Sequence, residues 1–118
     1  MNHKVTIFCD IDGTLVHHQN PSITSTNLHK MMLLPGTLEK LIEWEKKGYY
    51  IVLTTARKKS MRKVTQKQLS EVGIFYDQLI MGISSGSRYL TNDNKPDGTI
   101  TSFSINLIRD EGIGEINI

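Results

Sequence analysis

Asp10 and Asp12 are the residues whose type and spacing most directly suggest chemistry in this chain. In an extended segment they project the same way, while Ile11 between them packs to the other side. Gly13 follows at once and lets the backbone turn sharply, so that nearby N–H groups can approach an anion. Alone, Asp-x-Asp-Gly is equally the mark of a solvated turn. Further polar groups follow later apolar runs: Thr54 and Thr55, then Ser84, Ser85 and Ser87, then Asn92, Asp93 and Asp97. Three acids and a hydroxyl aimed into one crevice repel each other unless a cation joins them, and a hard divalent ion with oxygen ligands, Mg²⁺, answers that need.

The elements that would position these groups follow from periodicity. Residues 4–9 read as a short strand that stops at Asp10, and residues 17–25 as a polar loop or flap. Leu38, Leu41, Ile42 and Trp44 recur at helical spacing after Pro35-Gly36, and Gly48 stands where a helix ends. Residues 49–54 form a second apolar strand. Residues 60–72 place Met61, Val64, Gln68, Leu69 and Val72 on one helical stripe closed by Gly73. Residues 78–81 are expected as a third strand, 89–91 as a fourth, 101–109 as a last helix and 114–118 as a terminal edge strand. Alternating strands and helices predict an α/β fold, a Rossmann-like three-layer sandwich with a mostly parallel central sheet. In such sheets ligands bind beyond the carboxyl ends of the strands, where all four polar groupings fall.

Composition narrows the setting. A chain of 118 residues, 38% hydrophobic and 22% charged, suits one domain over 1–118 and excludes a disordered or fibrous class. The single cysteine excludes an internal disulfide and favours a reducing, cytoplasmic home. The longest apolar run, residues 49–53, is far below the ~20 residues of a membrane helix, and no leader is expected. A net charge of +2 argues for no partner by itself. Its distribution says more: from Thr55 to Ser70 there are six bases and no acid. Lys59, Lys63 and Lys67 share a helical face, read either as a solvated surface or as attraction for an anionic substrate.

The run Phe8-Cys9-Asp10-Ile11-Asp12-Gly13-Thr14-Leu15 resembles the first signature of the haloacid dehalogenase superfamily, whose members are mostly Mg²⁺-dependent phosphatases. Residues 51–57, ending Thr54-Thr55-Ala56-Arg57, resemble the second signature, and Asn92-Asp93-Asn94-Lys95-Pro96-Asp97 the fourth. The resemblance covers about residues 4–97. It implies that Asp10 is the nucleophile forming an aspartyl phosphate, and that Asp12 protonates the leaving oxygen and then activates water. It implies Mg²⁺ held by Asp10, the Asp12 carbonyl and Asp93, with Asp97 beside them. Thr55, or Thr54 in the other register, would bind the phosphoryl oxygens. The base expected near the end of the third strand is missing from residues 81–85. Lys95, Arg88 and Arg57 are the substitutes, with Lys95 preferred because an extended Arg88 would lie about 16 Å before Asp93.

The short spacings after the first and second signatures imply no cap domain. An open site suits a bulky substrate, or an oligomer whose neighbour supplies a lid. Similar small phosphatases act on sugar phosphates of polysaccharide or nucleotide-sugar metabolism, the reading preferred from sequence. Others act on nucleic-acid ends, disfavoured here because the basic strip is short and aromatics are sparse. A phosphoacceptor domain of the receiver type lacks its acid on the third strand. A catalytically silent binding protein is the remaining alternative, left open by the missing base.

Overall fold

The computed structural model describes residues 5–24, 26 and 28–118; Lys4 and Ser25, which the sequence places in the first strand and the flap, lie outside them. Strand β1 runs Thr6–Asp10, helix α1 Pro21–Thr24, α2 Thr37–Lys46, β2 Tyr50–Thr55, α3 Arg62–Glu71 and β3 Gln78–Met81, with a 3₁₀ turn Lys59–Met61 before α3. The strands form one parallel sheet in the order β1-β2-β3, with Asp10 opposite Thr54 and Thr55 opposite Met81. Among the described residues no helix is long and apolar enough to cross a membrane.

Both long helices end as their glycines require. After α2, the Gly48 N–H donates to the Glu45 carbonyl and the Tyr49 N–H to that of Trp44, with Gly48 at φ 78°. After α3, Gly73 (φ 83°) donates to Ser70 and Ile74 to Leu69. Each pair is a Schellman closure, which needs a residue at positive φ and so favours glycine. Glu39 in the first turn of α2 and Lys46 in its last turn match the helix dipole.

Moving one strand in the same direction at each right-handed crossover puts α2 and α3 on the same face of the sheet. That face is the core: Ile7, Cys9, Ile51, Leu53, Leu79 and Met81 from the strands pack with Leu41, Trp44 and Leu69 from the helices. The other face carries no helix among the described residues, and Phe8 there is 53% exposed. The Rossmann-like α/β core is therefore present, with its helical layer on one side.

The chain departs from expectation after β3. Residues 89–91 pair with no strand, residues 101–109 form no helix, and residues 114–118 form a turn at 114–115 and an irregular end rather than an edge strand. The helix expectation misjudged a period: Phe103, Ile105 and Leu107 alternate every second residue, the spacing of an extended chain. Residues 93–101 close a small loop on themselves, with the Thr101 hydroxyl donating to the Asp93 carbonyl at 2.7 Å and the Lys95 N–H to Thr99 at 3.0 Å. The segment then returns to the body. Asp110 N–H donates to the Gly13 carbonyl, and Ile113 is fully buried in the core.

Candidate active site

Asp10 ends β1, and its side chain is 34% exposed at the rim of the sheet. The Arg88 guanidinium donates to its Oδ1 at 3.3 Å. Burial raises the Asp10 carboxyl above its ordinary range; Arg88 opposes that shift and Asp12 adds slightly to it. Behind it, Cys9 is a core residue whose thiol is pushed up to about 12 by burial, so it is inert packing rather than a nucleophile.

Asp12 is held differently. Arg57 grips both its oxygens, Nε to Oδ2 at 2.9 Å and Nη2 to Oδ1 at 2.8 Å, which fixes the plane of the carboxylate. The guanidinium is itself almost fully buried and is held from α3, donating from Nη1 to Gln68 Oε1 at 2.6 Å and to Thr65 Oγ1 at 3.3 Å. Gln68 is buried, and its amide nitrogen donates to the carbonyls of Thr24 (2.9 Å) and Thr26 (3.3 Å) in the flap. One glutamine thus spans the flap and the arginine that orients Asp12.

The two threonines divide. Thr54 is the direct partner of Asp10 across β1 and β2 and leaves the sheet on the same face. Thr55 is buried on the helical side, where its Oγ1 accepts the Arg57 N–H at 3.0 Å. Gly13 adopts φ 89°, as the expected sharp turn requires, but its N–H donates to the Val16 carbonyl at 2.7 Å and does not face outward.

Of the three substitutes for the missing base, Arg88 reaches Asp10 and Arg57 reaches Asp12. Lys95 lies in the exposed loop 93–101 and pairs with neither. Asp93 and Asp97 share that loop. Two hydrogen bonds from Thr99 hold the Asp97 carboxyl below its ordinary range. No fourth strand carries these acids to the rim, and no three acids, histidines or cysteines among the described residues come together as a metal centre. The arrangement therefore does not complete the Mg²⁺ site expected from Asp10, Asp12, Asp93 and Asp97. Mg²⁺ demands octahedral oxygen coordination, and this rim offers it a single carboxylate outside the grip of Arg57.

Two contributions were not evident from sequence. Gln68 reads as one more residue of a core stripe, and only the fold shows that it bridges Arg57 and the flap. Lys59 lies with its stem over Gly82, directly past β3, so a base does stand at the end of the third strand, supplied from the turn before α3. With Lys58, Arg62, Lys63 and Lys67, all exposed, it forms a basic border beside the rim.

The family model for haloacid dehalogenase-like hydrolases matches residues 7–81. Among solved structures, the chain is similar to a chain of the Pnkp1/Rnl/Hen1 RNA repair complex, with 28% identity and a TM-score of 0.56. That match covers 71% of this chain and 27% of the other, so this chain spans little more than a quarter of that protein's length. A protein from Vibrio cholerae has the same fold at 20% identity and a TM-score of 0.52, over 90% of this chain and 84% of that one. The D,D-heptose 1.7-bisphosphate phosphatase from B. bronchiseptica, complexed with magnesium and phosphate, aligns at 17% identity and a TM-score of 0.47 over 65% and 49% of the two chains. No curated protein sequence matches.

Proposed function

This chain belongs to the haloacid dehalogenase-like hydrolases, and from that premise we propose that it is a phosphomonoesterase with Asp10 as nucleophile and Asp12 as acid and base. The observation that carries the reading is the pairing of a rim carboxylate held by Arg88 with a second carboxylate locked by Arg57 two residues on. An Asp10 oxygen attacks phosphorus while the ester P–O bond breaks, and the departing oxygen takes its proton from Asp12. Water then attacks the aspartyl phosphate and gives a proton to Asp12, releasing phosphate and restoring Asp10. Arg88 neutralises charge on Asp10 and on the incoming phosphate, the role for which Lys95 is preferred from sequence. Thr54, opposite Asp10 on the same face, is the hydroxyl available to the phosphoryl oxygens, whereas Thr55, preferred from sequence for that role, is buried on the helical side and accepts the Arg57 N–H.

Mg²⁺ is the cofactor that family membership and phosphoryl chemistry call for, and its coordination would need oxygens beyond those gathered at this rim. Residues 1–118 act as one catalytic domain, with Arg88 supplied from outside the matched 7–81, and the lone cysteine suits the cytoplasm.

For the substrate, two observations favour a phosphorylated nucleic-acid end over the sugar phosphate expected from sequence. One is the likeness to a chain of an RNA repair complex; the other is the exposed basic border beside the rim. Phosphate release from 3′- and 5′-phosphorylated oligonucleotides, sugar phosphates and an aryl phosphate, with and without Mg²⁺, tests both levels. Metal-dependent release that is fastest on an oligonucleotide end supports the reading. Preference for a sugar phosphate keeps the chemistry and overturns the substrate. No release from any of them overturns the enzyme.

A further inference from the structure

We infer that Arg109 is a second anion site, holding a further phosphate carried by the leaving group of the substrate. The inference rests on the function proposed above and deepens it.

The turn at Arg109 and Asp110 is built onto the loop that follows Asp12. The Asp110 N–H donates to the Gly13 carbonyl at 2.9 Å, and Asp110 Oδ1 accepts the His18 N–H at 2.8 Å. Asp110 adopts φ 66° and is the one non-glycine residue at positive φ among the described residues. That conformation is costly for a residue with a Cβ and persists where the surroundings hold it. Just beyond, Gly112 lies against the Pro35 carbonyl and Ile113 is fully buried. The backbone that presents Arg109 is therefore ordered before any ligand arrives.

The Arg109 side chain lies along Gly13. A Cβ added there would stand 3.2 Å from Arg109 Cγ and 3.7 Å from its Nε, with the His18 Cβ also at 3.7 Å. Glycine at this position thus allows φ 89° and also leaves room for the arginine stem. Arg109 is exposed and pairs with no carboxylate among the described residues, whereas Arg57 and Arg88 are taken up by Asp12 and Asp10. The Gly13 N–H, which such a turn could offer to an anion, points inward to Val16. Arg109 supplies positive charge at the same place.

What that charge reaches follows from the direction of the proposed reaction. Asp12 gives its proton to the leaving oxygen, so the rest of the substrate extends from the Asp12 side of the site. Gly13 is the next residue, about 3.8 Å along the chain, and Arg109 covers it. A guanidinium with free donors suits a phosphate, so the group that fits is a second phosphate on the leaving group. At a nucleic-acid end this is the first phosphodiester beyond the scissile phosphate. A sugar bisphosphate carries the same chemistry on a small molecule.

Calorimetric binding to Asp10→Asn protein with Mg²⁺ present tests the site without turnover. The ligands are an end-phosphorylated dinucleotide, the corresponding mononucleotide, and a sugar bisphosphate beside its monophosphate. The dinucleotide is expected to bind roughly ten- to a hundredfold more tightly than the mononucleotide. Adding Arg109→Met, which keeps an unbranched stem and loses the charge, should remove most of that advantage, and Arg109→Lys should restore part of it. The same pattern for the sugar bisphosphate alone upholds the site and moves the second phosphate to a small molecule. No advantage for either second phosphate, or one that survives Arg109→Met, overturns the inference. In turnover by otherwise wild-type protein, Arg109→Met should raise KM for the doubly phosphorylated substrate more than it lowers kcat. A stem that only packed on Gly13 would disturb Asp12 and lower kcat on every substrate alike, and that result also overturns the inference. Binding that depends on Arg109 in a protein whose wild type hydrolyses nothing upholds the anion site and fails only the hydrolase.

Discussion

Gln68→Leu is the most informative single change, because it removes polar contacts with little change of volume. Gln68 is 2% exposed, so no water replaces what is lost. Its Oε1 accepts from the Arg57 guanidinium at 2.6 Å, a bond to a charged group worth about 1.5–3 kcal/mol. Its amide nitrogen donates to Thr24 and Thr26, worth about 1 kcal/mol more. Leucine nearly fills the same space, so no cavity term is added. The expected loss is about 3 kcal/mol, a fall in Tm on the order of 12 °C for a domain of this length. Hydrogen exchange should rise at the amides of Ser22, Ile23, Thr24 and Thr26. Turnover should fall as well, since an Arg57 released on one side no longer fixes the Asp12 plane. Gln68→Glu separates the two ends of the bridge: it keeps an acceptor for Arg57 and puts an acceptor against the flap carbonyls, so flap exchange rises while turnover is largely kept. A Tm within about 2 °C of wild type for Gln68→Leu, with unchanged flap exchange, would refute the bridge.

Three further outcomes follow from particular contacts. Because the folded chain holds the Asp10 carboxyl above its ordinary 3.8, it binds that proton more readily than the unfolded chain, and stability falls as pH rises from 3.8 through the folded value. Asp10→Asn, unfolded by urea in the presence of a chelator, should therefore be more stable than wild type at neutral pH, with the difference vanishing below about pH 3.8. A difference that instead grows on acidification contradicts the burial of Asp10. The Cys9 thiol, raised to about 12, should react with a thiol reagent at pH 8 only at the rate of global unfolding; fast labelling of native protein contradicts its place in the core. Gly112 has φ 89°, and a Cβ there would collide with the Pro35 carbonyl oxygen, whereas Gly48 at φ 78° has open space. Gly112→Ala should cost more than about 2 kcal/mol in urea unfolding and Gly48→Ala about 1 kcal/mol, and equal costs would contradict the Pro35–Gly112 contact.

Much of the fold is legible because local rules and tertiary structure agree there. Gly48 and Gly73 end helices in sequence and in space for the same reason, their positive φ. Strand β3 is found at residues 78–81, as its apolar run predicts, and β1 and β2 lie within a residue or two of expectation. Asp10 and Asp12 are legible as a pair because a strand end fixes where both point. What joins them to the rest is not. Arg57 reads as a spare base for the phosphate, and its hold on Asp12 depends on α3 passing behind the loop, a crossover that no spacing encodes. Gln68 is hidden because a buried polar residue on an apolar stripe looks like a packing residue until its partners are seen. Residues 84–108 differ in kind from the expectation. Their period of two belongs to an extended chain and not to a helix at 101–109, and a strand at 89–91 has no partner in the sheet. Strand identity belongs to the pair, so a segment's own residues cannot say whether a sheet edge will take it.

The role of Asp10 as nucleophile is tested by catching the intermediate. Wild type is mixed with a radiolabelled aryl phosphate and Mg²⁺, acid-quenched within the first turnovers and digested, and the label is located by mass spectrometry. Label is expected on the peptide carrying Asp10, lost in neutral hydroxylamine as an acyl phosphate is, and none in Asp10→Asn protein of unchanged circular dichroism. Turnover without label on that peptide, or label that persists in Asp10→Asn, contradicts it.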